Sequence, residues 1–240
     1  MDRSVIYTLR IACAPDKFGH NVAGGNVSLL LVLRRSTAMQ RPYGPTNAVE
    51  LFERRTAPLE ALAHDAGMVA EACHAIAGRF HLGGKLIVFG NGAASTDAAH
   101  VAVEFVHPVI VGKRALPAIS LAADIATVTG VAVRDGLSEI FAHQIRALAE
   151  PADIALGISA DGNCPDVLHG LRAAARLDML TVALIGGDGG AIAATGAAEH
   201  ILLARSSDPE VVKEVHVTIY HVLWELVHVF FEQPGVLSRP

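Results

Sequence analysis

Cysteine is scarce in this chain, and what there is does not pair. Cys13, Cys73 and Cys164 are odd in number and widely separated. No C-x-x-C spacing is present, which excludes zinc ribbons and dithiol redox centres and points to reduced thiols in a cytoplasmic setting. A basic surplus is also missing. Nineteen Lys and Arg stand against twenty-four Asp and Glu, for a formal net charge of -5. A broad nucleic-acid-binding face needs clustered cations, so no nucleic-acid partner is expected. Long apolar runs are lacking too, although mean hydropathy is +0.41. The run Ser28-Leu29-Leu30-Leu31-Val32-Leu33 stops at Arg34-Arg35, far short of the roughly 20 residues that cross a bilayer. Alanine and valine in buried parallel strands account for the hydropathy better, and no membrane association is expected. Nor does the start look like a secretion signal, because Asp2 replaces the usual basic residue and Arg10 interrupts the first apolar stretch.

With 52% hydrophobic residues in 240, the chain has enough apolar material for one full core. Residues 1 to 45 differ from the rest, scattering Gly, Pro and Asn without a helical period, and are expected to be an irregular extension. Within it, Ala12-Cys13-Ala14-Pro15-Asp16-Lys17-Phe18 is similar to the opening strand and turn of glycerate kinases. Nothing following it supports a kinase.

The main domain is expected over 46–235. From Asn47 to Phe80 apolar residues recur mostly at threes and fours, predicting an amphipathic helix interrupted near Pro58 and ended by Gly83-Gly84. Short apolar runs then alternate with helical stretches: Lys85 to Phe89, Ala118 to Leu121, Asp153 to Ile158, Leu180 to Ile185, and Ile201 to Ala204. A last helix is expected from Pro209 to Phe231. This alternation predicts an α/β fold, a doubly wound five-stranded parallel sheet with helices on both faces in a flavodoxin-like arrangement. In such sheets ligands bind beyond the carboxyl ends of the strands.

Two strand-to-helix loops at those ends carry polar and glycine residues: Gly90-Asn91-Gly92-Ala93-Ala94-Ser95-Thr96-Asp97 and Gly157-Ile158-Ser159-Ala160-Asp161-Gly162-Asn163-Cys164-Pro165. Glycines let backbone N–H groups approach an anion, and the helix N-terminus adds partial positive charge. Turns of this kind equally serve a doubly wound domain that binds nothing there. His100 and Glu104 lie four apart, so they share a helix face. A pair of that kind either holds a metal, moves protons, or is an ordinary solvated contact.

Taken in order, Gly90-Asn91-Gly92, His100, Glu104, Leu156-Gly157-Ile158-Ser159, Gly162-Asn163, Gly186-Gly187-Asp188-Gly189-Gly190, Glu214-Val215-His216 and His221 resemble the sugar-isomerase (SIS) domains of phosphoheptose isomerases over roughly residues 47 to 232. The resemblance implies aldose-ketose isomerisation of a seven-carbon sugar phosphate through an enediol. It further implies zinc held by His100, Glu104 and His221, with Glu104 as the acid/base carboxylate and His221 as its proton-transfer partner. Since a carboxylate and an imidazole can divide those roles, Glu104 is assigned as catalytic base and His221 as acid. The resemblance also implies a cytoplasmic homotetramer whose active sites draw on neighbouring subunits. The substrate cup expected from it comprises Asn91, Gly92, Ala93, Ser95, Arg134, Ser159, Ala160, Asp161, Cys164 and Lys213.

That cup departs from the family pattern. The family's Gly-Asn-Gly-Gly-Ser has become Gly90-Asn91-Gly92-Ala93-Ala94, with Ser95 one place late. Its Ser-Thr-Ser-Gly-Asn-Ser reads Ser159 to Cys164, with Asp161 set against the phosphate. An expected Asn-Asp reads Val133-Arg134, with Asp135 next, and an expected glutamine ligand is Lys213. Arg134 or Lys213 is expected either to pair Asp161 or to meet phosphate from another direction. A non-catalytic sugar-phosphate-binding regulator and an isomerase of a different phosphosugar are the competing readings. His216, five residues before His221, falls about 140° around the helix and is expected in different surroundings. His228 is expected to be a partly buried structural residue. His64, His74, His81, His107 and His169 join no constellation and are assigned nothing. Met39 is an alternative start, because the resemblance begins after it.

Overall fold

A computed structural model describes residues 48–233 and 235–237. The extension expected over 1–45, its kinase-like phrase and Met39 lie outside these residues. Fourteen elements follow one another: α1 (Ala48–His64), α2 (Ala66–His81), β1 (Leu86–Phe89), α3 (Ala93–Val106), β2 (Ala118–Ser120), α4 (Ile125–Asp135), a 3-10 turn (Leu137–Glu139), α5 (Ile140–Leu148), β3 (Ile154–Ser159), α6 (Pro165–Ala175), β4 (Leu180–Gly186), α7 (Gly190–Ala194), β5 (His200–Ala204) and α8 (Pro209–Glu232). The five strands form one sheet in the order β2-β1-β3-β4-β5, every pairing parallel. The expected α/β architecture is thus present, and each predicted strand lies within a residue or two of its place.

Strand alternation divides the core into two layers, because successive side chains point to opposite faces. Leu86, Val88, Ile154, Leu156, Ile158, Val182 and Leu184 pack on one face with residues of α2, α3 and α8. Ile87, Phe89, Ala155, Ala183 and Ile185 pack on the other with α5, α6 and α7. The central strands β3 and β4 are buried along their whole length, as sheets covered on both faces require.

Pro58 does not interrupt the first helix. It sits inside α1 and is the buried residue of that helix, and the chain breaks instead at Asp65, between α1 and α2. A proline forfeits one ladder hydrogen bond. Here α1 is held from outside by ion pairs to α8 and the residue preceding it, Arg55 to Glu214 at 2.5 Å and Arg54 to Asp208 at 3.0 Å. Tertiary anchoring on both guanidiniums of the preceding turn sustains the helix through the defect.

Candidate active site

The helix α3 begins at the first glycine loop, and the face carrying His100 and Glu104 turns toward α8. His100 and Glu104, one turn apart, meet at 3.2 Å between His100 Nε2 and Glu104 Oε1. From α8, His221 joins them. Its ring lies 5.3 Å from that of His100, edge to face, and the ligand atoms of His100, Glu104 and His221 all fall within 4.8 Å of one another. The metal and proton-transfer residues expected from the sequence therefore come together. His221 itself is exposed, while the Glu104 side chain is only 15% exposed, so the carboxylate sits on the protected side of the group.

Residues that the sequence reading passed over hold this cluster in place. Tyr220 is 2% exposed, and its hydroxyl lies 2.9 Å from His100 Nδ1. Burial pushes the Tyr220 phenol well above its ordinary range, so it stays a neutral O–H. A second partner on Nδ1 orients the ring that offers Nε2 to the site, the role that outer partners commonly take for ligating histidines. Trp224 Nε1 donates to the backbone oxygen of Glu104 at 2.9 Å, clamping α3 against α8. Two imidazoles and one carboxylate, with room for a further ligand, match the donor chemistry of catalytic zinc sites, so the residues present fit such an ion. Adjacency was the available signal for Tyr220, which directly precedes His221.

Lys213 does not join the cluster or approach Asp161. Its Nζ contacts Asp97 Oδ1 at 2.5 Å, the backbone oxygen of Ala93 at 3.2 Å and Thr96 Oγ1 at 3.3 Å. Asp97 is 5% exposed and lies three residues before His100 on the same helix face, a spacing that could have revealed it. Nor does Arg134 reach Asp161: its guanidinium makes a two-pronged contact with neighbouring Asp135 at 2.9 and 2.7 Å. The expected pairing of Asp161 with either cation is thus corrected, because each cation has a nearer carboxylate. That leaves the exposed Asp161 carboxylate accepting the Asn163 backbone N–H at 2.9 Å, a local turn contact.

The two glycine loops are built against their neighbours. Asn91 Nδ2 donates to Asp166 at 2.7 Å, and Asp166 is 2% exposed. This ties the first loop to α6. Asn163 Oδ1 accepts the Ala191 N–H at 3.1 Å, joining the second loop to α7. Contact between the second loop and the loop after β4 explains two glycines: a Cβ at Gly162 would lie 2.0 Å from the Gly189 oxygen, and one at Gly186 would lie 2.0 Å from the Ala160 oxygen. Ser159, expected to face the ligand, is 1% exposed, and its Oγ accepts the Gly162 N–H at 3.0 Å. It shapes the loop from beneath. Ser95 Oγ is likewise turned to the Gly92 oxygen at 2.7 Å. Gly92, Ala93, Ala160 and Asp161 are exposed at the strand ends, and the Cys164 thiol beside them is raised by burial.

Behind the site, His216 is 2% exposed and its Nε2 has no hydrogen-bond partner. Burial pushes it down to about 4 from the ordinary 6.5, with Asp97 and Lys213 acting on it in opposite senses. It is neutral at pH 7 and in different surroundings from His221, as expected. His228, buried rather than partly so, lies between the backbone oxygens of Trp224 and Arg114 at 2.8 and 3.0 Å.

Comparison with known proteins places this geometry in a family. The sequence model of the SIS domain matches residues 51–186. The phosphoheptose isomerase of Desulfovibrio desulfuricans is 38% identical over 179 residues, covering 73% of this chain and 83% of that protein. The one from Trichlorobacter lovleyi is 36% identical over 177 residues, covering 74% and 86%. Among solved structures, a phosphoheptose isomerase from Francisella tularensis superposes with a TM-score of 0.71 at 30% identity, covering 75% of this chain and 96% of the other. That from Neisseria gonorrhoeae gives 0.69 at 26%, covering 75% and 95%. The chain belongs to the SIS-domain family and, within it, to the phosphoheptose isomerases.

Proposed function

We propose that the protein isomerises sedoheptulose 7-phosphate, or a closely similar sugar phosphate, between ketose and aldose forms. The observation that carries the reading is the convergence of His100, Glu104 and His221 from two helices into one group. Isomerisation requires a base to take a proton from the carbon beside the carbonyl and an acid to serve the oxygens of the enediol. Glu104 Oε2 has no hydrogen-bond partner among the described residues and is free to accept that proton, while Oε1 is held by His100. Among the described residues His221 makes only ring contacts, with Tyr220 and His100, leaving its nitrogens to serve the substrate oxygens. A zinc ion held by His100, Glu104 and His221 would supply Lewis acidity to the carbonyl. Asn91, Gly92, Ala93, Ser95, Ala160, Asp161 and Cys164 form the floor and rim on which the sugar phosphate would rest.

A non-catalytic regulator is the less favoured reading, because the named relatives are isomerases and the proton-transfer group is intact. The domain over 46–235 is proposed to work as a cytoplasmic homotetramer. No helix among the described residues is long and apolar enough to cross a membrane. Val111, Val133, Ile125 and Leu137 are 100%, 90%, 72% and 62% exposed, apolar surface of the kind that partner subunits cover. Turnover of sedoheptulose 7-phosphate, measured with and without added zinc, tests the proposal. Glu104→Gln is expected to lose about 10²- to 10⁴-fold in kcat, and a variant as active as the parent would remove Glu104 from the chemistry.

A further inference from the structure

On the opposite face of the sheet from α3 and α8, a cleft of about 190 Å³ opens between α5 and α6. It is lined by Glu139, Ala142, Arg146, His169, Arg172 and Arg176. The separation follows from the two core layers: α3 and α8 pack on one side of the strands, α5 and α6 on the other. The cleft is therefore not part of the His100–Glu104–His221 group. His169, unassigned from the sequence, is one of its walls.

Three guanidiniums meet one carboxylate here. Glu139 accepts from Arg146 at 3.1 Å and lies 2.8 Å from His169 Nδ1, and these contacts hold its carboxyl below the ordinary range, Arg146 first and His169 next. Its charge is thereby spent within the cleft wall. Among the described residues Arg172 and Arg176 have no side-chain hydrogen-bond or ion-pair partner. They stand four apart, Arg172 in the last turn of α6 and Arg176 capping that helix in a right-handed helical conformation, so their side chains leave from one side of its end. Leaving His169 aside, the lining carries an excess of two positive charges, from three arginines and one glutamate, in a chain whose formal net charge is -5. Guanidinium groups are suited to taking phosphate by two parallel N–H donors. The volume falls below the roughly 300–1,000 Å³ of pockets for drug-sized ligands, which leaves space for a phosphate group and a short carbon chain.

We propose that this cleft is a second, non-catalytic anion site that takes the phosphate group of a small phosphorylated metabolite on Arg172 and Arg176. Arg146 and His169 close its wall, and Glu139 fixes both in position. The site stands independently of the isomerase reading.

Arginine-selective modification by phenylglyoxal, followed residue by residue by peptide mass spectrometry on the full-length protein, tests it. Inorganic phosphate is expected to slow modification of Arg172 and Arg176 at least fivefold, at an ionic strength matched with chloride. Arg205, 47% exposed and paired with Asp65, should be unaffected. Glycerol 3-phosphate is the second probe: stronger protection by it than by inorganic phosphate would assign the site to a phosphomonoester, and the reverse to the free ion. Equal rates with and without phosphate, or equal slowing of every arginine, would overturn the proposal. So would a loss of oligomer mass in Arg172→Gln/Arg176→Gln without any change in phosphate-induced thermal stabilisation, since the arginines would then meet acidic groups of a second copy. Turnover in that double variant is expected to match the parent. The single variant Arg176→Gln repeats the measurement if the double variant folds poorly.

Discussion

Removing Lys213 should cost this protein more than removing its partner, and the asymmetry can be worked out from burial. The Lys213–Asp97 pair closes at 2.5 Å, with the lysine side chain 41% exposed and the aspartate 7% exposed. In Lys213→Met the Asp97 carboxylate stays largely buried and has no other cation within bonding distance among the described residues. Breaking a fully buried pair from one side costs about 3–5 kcal/mol, whereas exposed pairs are worth roughly 0–1 kcal/mol. A half-exposed lysine places the loss near ~2 kcal/mol. For a chain of this size that is roughly 4–8 °C in Tm. In Asp97→Asn the lysine swings outward into solvent and the amide still accepts a hydrogen bond, so the loss should stay under ~1 kcal/mol. A double-mutant cycle of Lys213→Met, Asp97→Asn and the combined variant, read by urea denaturation, should give a coupling energy of about 1 kcal/mol. If Lys213→Met proves no more destabilising than Asp97→Asn, the pair does not govern the packing of α3 on α8, and the account of Lys213 given above is wrong.

Other consequences follow from the same site. Tyr220→Phe takes the hydroxyl from His100 Nδ1; zinc affinity and turnover are expected to fall about 10- to 100-fold, measured by metal titration and kinetics, while Tm changes by only a few degrees. Asp161→Ser should lower KM for sedoheptulose 7-phosphate more than tenfold with kcat little changed, since a unit charge about 5 Å from a dianionic phosphate costs ~2 kcal/mol even at the dielectric constant of water; an unchanged KM would place the phosphate elsewhere. His216, ordinarily at 6.5 and pushed down to about 4, binds its proton more readily unfolded than folded. The stability it lends at pH 7 is therefore lost as pH falls from about 6.5 toward 4, by about 2 kcal/mol between pH 7 and 5. His216→Leu should flatten that part of the stability profile, and an unaltered slope in urea titrations would show that another group carries it.

Local pattern alone carried much of this protein. Apolar runs of strand length alternating with helical periods set the five parallel strands, and the two glycine loops fell where a parallel sheet places ligands. His100 and Glu104 share a helix face through a spacing of four, a purely local relation, and an ordered resemblance to a family supplied their partner. Contacts between residues far apart in sequence lie outside such a pattern. Tyr220 meets His100 across 120 positions, and Lys213 finds Asp97 across 116. Each depends on how α8 crosses α3, so charge and side-chain type could not say that Lys213 would answer Asp97 and leave Asp161 alone. The basic cleft was hidden for the same reason: Arg146 belongs to α5, Arg172 belongs to α6 and Arg176 caps it, and only packing of the two helices brings them to one hollow. Periodicity along a chain reports which way each side chain faces, whereas the identity of the neighbour it meets is decided by the packing of whole elements.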